Sequence, residues 1–223
     1  MTARPEAQPR PFLKWAGGKS WLVPTLLERI GPLSGERMVY EPFCGSGVTS
    51  LAVLYASRHL RGRTRPVVVM GDQNLELIRT FRVVQHDVHR LIEALGEIAR
   101  RYAVDPKETY YTLRAETPTE DVAVAARMIA LNRTCFNGLY RQNRQGRFNV
   151  PMGRYTNPTI LDAENLIEVS TLLSLGAWVD HVEATFWTPQ AGDVVYLDPP
   201  YLAVSKTSNF RSYLASGWTE QNA

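Results

Sequence analysis

Two periodicities alternate along the 223-residue chain. Short apolar runs, several rich in valine, occupy residues 38–40, 66–71, 178–186 and 194–197, and they read as strands. Between them apolar side chains return every three or four residues, as a helix with one buried face requires. Residues 20–30 carry apolar side chains at 22, 23, 26, 27 and 30, with Pro24 near the start, where its missing N–H is tolerated. Residues 48–56 follow the first strand as a helix. From Leu75 to about Ala130 the helical period persists through Leu77, Ile78, Phe81 and Val84, then Leu91, Leu95 and Ile98, then Val122 to Leu131. Residues 161–175 form a further helix before the last two strands. Strands alternating with helices predict an α/β chain, and a helical stretch of that size between strands predicts a separate lobe. The run Val194-Val195-Tyr196-Leu197 predicts a buried parallel strand.

Composition narrows the setting. Hydrophobic residues make up 44% of the chain and charged ones 21%, ordinary for a soluble globular protein with one large core. No apolar run approaches bilayer length and residues 1–10 lack the apolar segment of a secretion signal, so a cytoplasmic protein is expected. Cys44 and Cys135 stand far apart in no paired motif, which argues against a zinc ribbon or a disulfide framework. His86 and His89 share a predicted helix but have no third ligand nearby, so no metal is expected.

The net charge is only +3, but its distribution is uneven. No Asp or Glu occurs between Asp121 and Asp162, whereas Arg127, Arg133, Arg141, Arg144, Arg147 and Arg154 all fall there, interleaved with Phe136, Tyr140, Phe148 and Tyr155. Cations with aromatic rings among them predict a nucleic-acid partner; a merely solvated loop accounts for the charges alone. Arg61, Arg63 and Arg65 form a second cluster in a surface connection, to which no function is assigned.

Four stretches carry chemistry. In Phe12-Leu13-Lys14-Trp15-Ala16-Gly17-Gly18-Lys19, two glycines between a tryptophan and a lysine let the backbone bend round a ligand, although a capping turn with a core tryptophan fits the same residues. Glu41-Pro42-Phe43-Cys44-Gly45-Ser46-Gly47 lies between a strand and a helix, as the turn of a nucleotide-binding α/β fold does. Ser50 occupies the third glycine's place, which argues against a dinucleotide. Asp72 ends the second strand, placed to accept hydrogen bonds from a ribose diol or to cap the helix beginning near Asn74. Turn and acid together imply an adenosine-containing cofactor.

The last of the four is Asp198-Pro199-Pro200-Tyr201. The prolines have no N–H, so a carboxylate and a prolyl carbonyl form a two-acceptor claw for an amine, and Tyr201 adds a face for a planar ring. Two acceptors on the hydrogens of an aromatic amine favour a pyramidal nitrogen whose lone pair can attack, so the site reads as one that alkylates such an amine. The bland alternative is a turn after a strand. Gln145-Gly146 further predicts a hairpin tip between residues 139–143 and 147–150, whose Arg and Asn side chains suit guanine and adenine edges in a DNA groove.

In this order the words resemble a Dam-type, D12-class DNA adenine-N6 methyltransferase. The resemblance runs from Pro11 through nearly the whole chain and rests on the stretches above, together with Leu131 to Arg141 and Phe148-Asn149-Val150-Pro151-Met152-Gly153. It implies a Rossmann-like S-adenosylmethionine-dependent sheet formed by residues 1–75 and 170–223, with a helical recognition insertion at residues 76–169 bearing the hairpin. It implies that S-adenosylmethionine is held by Trp15, Lys19, Glu41, Phe43, Gly45, Gly47, Asp72, Phe186 and Asp198. Asp198, Pro199, Pro200 and Tyr201 are the implied catalytic residues, acting on an adenine flipped out of double-stranded DNA, since N6 within the duplex is out of reach. Arg133, Phe136, Asn137, Leu139, Arg141, Asn143, Arg147 and Arg154 are the implied DNA contacts.

The chain departs from the family's pattern in two places. Relatives continue well past Asp-Pro-Pro-Tyr, so a C-terminally incomplete sheet is expected here, completed by a missing segment or a partner chain, or else a non-catalytic DNA- or cofactor-binding remnant. Residues 205–213 still resemble the lid-like loop that follows the active site, and Thr219 looks like a helix start. Thr185 stands where many relatives have an acid before the aromatic, which predicts weaker cofactor binding at worst. Methylation of a protein amide or of RNA ranks third, because Asp at 198 and an arginine-rich hairpin fit it less well.

Overall fold

The structure, a computed structural model, describes residues 9–33, 37–61, 65–181 and 187–199. The described strands β1 (Met38–Glu41), β2 (Val67–Gly71), β3 (Ala177–Asp180) and β4 (Val194–Val195) form one parallel sheet in the order β3-β2-β1-β4. Val39 lies level with Val68 and Val194, and Val68 with Ala177, so the C-terminal ends of all four strands open on one edge. That edge is where parallel sheets hold ligands.

The two faces of the sheet differ. Val39, Glu41, Val68, Met70 and Val179 are buried, on the face that joins the main core. On the other face Trp187 covers Tyr40 and Gly71, while Val67, Trp178 and Val195 are exposed. The expectation of a buried strand at residues 194–197 is therefore corrected. β4 is two residues long and lies at the edge of the described sheet, with Val195 and Leu197 41% and 61% exposed. β3 stops at Asp180, and residues 182–186 of the longer predicted strand lie outside the described residues.

Helix α1 (Val23–Ile30) follows a 3₁₀ turn, Ser20–Leu22, with proline in its first turn and Gly31 in positive φ at its end. Helix α2 (Val48–Ser57) is buried almost all round between sheet and helices. The long helical stretch resolves into α3 (Leu75–His86), α4 (Val88–Val104), α5 (Pro106–Ala115) and α6 (Asp121–Thr134). Local chemistry places the breaks. Asn74, Asp105 and Glu120 accept from the first-turn N–H groups of α3, α5 and α6, and Pro106 opens α5 where no N–H is needed. Helix α7 (Ala163–Gly176) is capped in the same way by Asp162.

Helix α6 is the centre of the helical part, packed by α3, α4 and α5, and α3 also leans on α7 and β3. One buried cluster runs unbroken from Val68 and Met70 of the sheet through Phe81 of α3 to Leu91, Tyr110 and Ile129. The helical part thus shares its core with the sheet. Among the described residues no helix is long and apolar enough to cross a membrane.

Candidate active site and nucleic-acid interface

β1 ends at Glu41, and residues 42–47 turn the chain into α2. Gly45 and Gly47 have φ of +47° and +68°, a region side chains rarely enter. The two are bare for different reasons. A Cβ on Gly45 would lie 2.6 Å from Cδ1 of Trp15, so the turn is pressed against the indole; one on Gly47 would meet Met70 and Phe81, each at 2.9 Å, so this glycine makes room for the core. Asp72 pins the turn from the β2 side, accepting from the N–H of Gly45 at 3.2 Å and of Asn74 at 2.9 Å. Asn74, not Asp72, caps α3.

Ser50 explains its own presence where a dinucleotide turn has glycine. Its N–H, at 3.0 Å, and its hydroxyl both donate to the Glu41 carboxylate. Glu41 is 3% exposed. Burial pushes its pKa up to about 7, opposed by the Ser50 bonds and reinforced by the charge of Asp198. Burial likewise pushes Asp72 up to about 6 against the pull of its two backbone donors and of His181. Cys44, between these acids, is buried, and burial raises its thiol well above the ordinary range, which keeps it a neutral hydrophobe.

The N-terminal stretch folds back over this turn. Phe12 packs edge-on against Phe81 at 5.0 Å, and the Trp15 ring stacks on Tyr140 with centroids 5.7 Å apart. Gly17 takes φ of +82° with open space beside it. The Lys19 ammonium lies 2.6 Å and 2.5 Å from the two carboxylate oxygens of Asp198. Asp198 arrives there because β4 runs beside β1: the N–H of Tyr196 donates to the carbonyl of Tyr40 at 2.8 Å, and Asp193 accepts from the N–H of Met38 at 2.9 Å. Phe43 is half-buried in the turn. The structure therefore gathers Trp15, Lys19, Glu41, Gly45, Asp72 and Asp198 at one edge of the sheet. Pro199 is exposed, and Pro200, Tyr201, Phe186 and residues 205–213 lie outside the described residues, as do Thr185 and Thr219.

Beyond α6 the chain builds a second surface. Asn132, 2% exposed, donates to the carbonyls of Lys14 and Gly138 at 2.8 and 3.0 Å and accepts from the N–H of Lys14 at 2.8 Å. Asn137 and Gly138 both have positive φ, and this bend leaves Phe136 and Leu139 49% and 37% exposed. The hairpin forms as an irregular one. Asn149 donates to the carbonyl of Arg141 at 3.0 Å, Asn143 to that of Arg147 at 2.9 Å, and Gln142 bridges to Phe148. Tyr140, Phe148 and Val150 point inward, while Arg141, Arg144 and Arg147 are exposed, as is Arg154 beyond the hairpin.

The arginines of the basic block thus divide. Arg127 is 5% exposed and donates to the carbonyls of Leu113 and Arg114 at 2.7 and 3.3 Å, so it belongs to the core and not to the polyanion footprint predicted for it. Arg133 is half-covered near Asp162 and Arg10, and burial lowers its pKa. The Asn143 side chain accepts from the N–H groups of Gln145 and Arg147 at 2.9 and 3.0 Å and so builds the turn. Arg65, of the second cluster, donates to the carbonyls of Leu175, Arg58 and Leu60 and clamps loops together; Arg63 lies outside the described residues. Among the described residues no three His, Cys, Asp or Glu side chains gather as a metal site.

The model of the D12 class N6 adenine-specific DNA methyltransferase family matches residues 15–223. The chain belongs to this family. The chain is 37% identical over 217 residues to the type II methyltransferase M.MjaIII of Methanocaldococcus jannaschii, a match covering 92% of this chain and 73% of that protein. It is 35% identical over 224 residues to the type II methyltransferase M1.LlaDCHI of Lactococcus lactis subsp. cremoris, covering 96% and 73%. A DNA adenine methylase of Serratia marcescens is 34% identical over 209 residues, covering 92% and 71%.

Several residues that shape this D12-class site escaped sequence reasoning. Asn132 closes an apolar helix and gives no local hint that it will clasp Lys14, 118 residues away. Glu76 accepts from the Tyr140 hydroxyl at 2.8 Å, yet it resembles any first-turn helix acid. Asp193, which sets β4 against β1, also caps its own loop by accepting from Gln190 at 2.8 Å. Asp193 alone carried a signal, a Gly-Asp turn just before an apolar run.

Proposed function

We propose that this chain transfers a methyl group from S-adenosylmethionine to N6 of an adenine flipped out of duplex DNA. The observation that carries the reading is the Lys19–Asp198 pair, which holds the first residue of Asp-Pro-Pro-Tyr at the sheet edge that bears the glycine turn. The acids there suit the cofactor. Glu41, Asp72 and Asp198 interact electrostatically around Cys44 and Lys19, three acceptors beside one cation, matched to a ligand that carries two cations, a ribose diol and a carboxylate. Asp72 would accept from the ribose, Trp15, Phe43 and Phe186 would enclose the adenosine, and Glu41, Gly45, Gly47 and Lys19 would complete the cradle. When bound, S-adenosylmethionine supplies a methyl group activated by a sulfonium.

The chain's own residues prepare the amine. Asp198 and the Pro199 carbonyl accept its two hydrogens, so the nitrogen pyramidalises and its lone pair becomes available; the absence of N–H groups on Pro199 and Pro200 leaves those acceptors uncontested. Lys19 holds the carboxylate in place through both oxygens, and it must share Asp198 with the incoming amine. Once methylated, the nitrogen loses one proton, for which the Asp198 carboxylate is the adjacent base. Tyr201 would stack on the base.

Recognition falls to residues 76–169, and the sheet formed by residues 1–75 and 170–223 carries the chemistry. Arg141, Arg147 and Arg154 would meet phosphates or base edges, with Arg133 at the margin. Phe136 and Leu139, exposed on either side of Asn137, would lie against bases disturbed by the flip, and Asn143 would shape the hairpin. The test is transfer of labelled methyl from S-adenosylmethionine to mixed-sequence duplex DNA by the chain and by Asp198→Ala. N6-methyladenine made by the chain and lost in the variant is the expected result. Folded protein that binds duplex and cofactor without transfer overturns the reading.

A further inference from the structure

Tyr140 belongs to the recognition hairpin by sequence, yet it touches both walls of the cofactor turn. Its ring is 4% exposed and lies between Trp15, stacked at 5.7 Å with an interplanar angle of 25°, and Phe148 at 5.8 Å. Its hydroxyl donates to Glu76 at 2.8 Å and accepts from the Gln142 amide at 2.7 Å. Burial, then the adjacent Glu76 charge, raises its pKa, so the hydroxyl keeps its proton and its role as donor. Glu76 stands in the first turn of α3, just after Asp72 and Asn74, and the Arg127 guanidinium holds it from behind at 3.4 Å. These contacts close a ring: Gly45 to Asp72 by a hydrogen bond, Asp72 through Asn74 into α3, Glu76 to Tyr140, Tyr140 to Trp15, and Trp15 back onto Gly45.

From this ring we infer that Tyr140 is a positioning residue that couples the DNA hairpin to the cofactor pocket. Resting on the function proposed above, the inference adds that a duplex gripping Arg141 and Arg147 changes cofactor affinity through the Trp15 and Glu76 contacts of Tyr140. Coupling between two sites is reciprocal, so the cofactor must change DNA affinity by the same factor.

The experiment measures the affinity of S-adenosylhomocysteine by calorimetry, with and without saturating duplex, for the full chain, Tyr140→Phe and Tyr140→Leu. Tyr140→Phe keeps the stack and loses the hydrogen bond, which separates the two routes and spares the core; thermal melts verify that each variant is folded. In the unaltered chain duplex changes the affinity about fivefold or more. That ratio falls in Tyr140→Phe and approaches one in Tyr140→Leu, while DNA affinity measured without cofactor stays within about threefold. A purely structural role would lower stability and leave the ratio intact. The inference is overturned if folded variants keep the full ratio, or if the unaltered chain shows none. Failure of the proposed function looks different, since the unaltered chain would then transfer no methyl group.

Discussion

The glycine turn and the hairpin both gather charge, and they treat it in opposite ways. At the turn Glu41 and Asp72 are acids withdrawn from water, each matched by backbone N–H groups and fixed in place. At the hairpin Arg141, Arg144 and Arg147 stand out in solvent with no acid nearby in sequence. A small ligand of fixed shape rewards rigid, desolvated partners, because each interaction is strong and already oriented. Exposed cations suit a polyanion instead, whose affinity is set by salt. Arg127 marks the boundary between the regimes, a cation of the hairpin's sequence block that lives by the rules of the turn.

The largest effect expected from breaking this contrast lies at the turn. Asp198→Ala should lower methyl transfer by a factor on the order of 10³, in line with removal of a preorganised polar group at reacting atoms, and single-turnover rates with bound duplex measure it. Next is stability: Arg127→Ala removes the cationic partner of Glu76 and the donor to two carbonyls and should cost about 3 kcal/mol in urea unfolding. By contrast Arg144→Ala should stay within about 0.5 kcal/mol, although the two arginines fall in one block of sequence. The double variant Arg141→Ala with Arg147→Ala should leave cofactor affinity measured without duplex alone, weaken duplex binding, and flatten the logarithmic salt dependence by about two.

The acids sharpen the contrast through pH. Glu41 and Asp72 are held at about 7 and about 6, above their ordinary values of 4.5 and 3.8, so the folded chain binds protons more tightly than the unfolded chain. Their contribution to stability is therefore greatest below pH 4 and falls as pH rises to about 7. Affinity for a cationic cofactor has the opposite sign, rising as the acids ionise over the same range. Glu41→Gln should flatten the fall in melting temperature between pH 5 and pH 7 and weaken cofactor binding at pH 8, read from melts and calorimetry at each pH.

What was legible in the sequence was local. Glycines with an acid and a strand closed by Asp-Pro-Pro are consequences of neighbouring residues, and the glycine turn and Asp198 lie where those words put them. What depended on distant partners was hidden. Val194 to Leu197 read as buried because nothing in four apolar residues reveals that their strand will sit at an edge. Arg127 read as surface because counting charges along a chain ignores direction, and α6, apolar on every side, offers no polar face to which an arginine would be assigned. Asn132 and Glu76 became part of the site only when Lys14 and Tyr140 arrived from elsewhere in the chain.

The pairing of β4 with β1 also governs time. Met38 and Asp193 meet across 155 residues, so the strand that carries Asp198 finds its place only after nearly everything between them has been synthesised. At ordinary ribosomal rates that interval is roughly 8–30 seconds, during which a nascent chain already holds the segments of its glycine turn and hairpin but not Asp198. Loop closure over such a distance is slow and cooperative, so the sheet edge that bears the glycine turn receives Asp198 only after the helices between them have been made. On the function proposed above, a nascent chain arrested before β4 emerges would carry its exposed arginines without the carboxylate that methyl transfer needs.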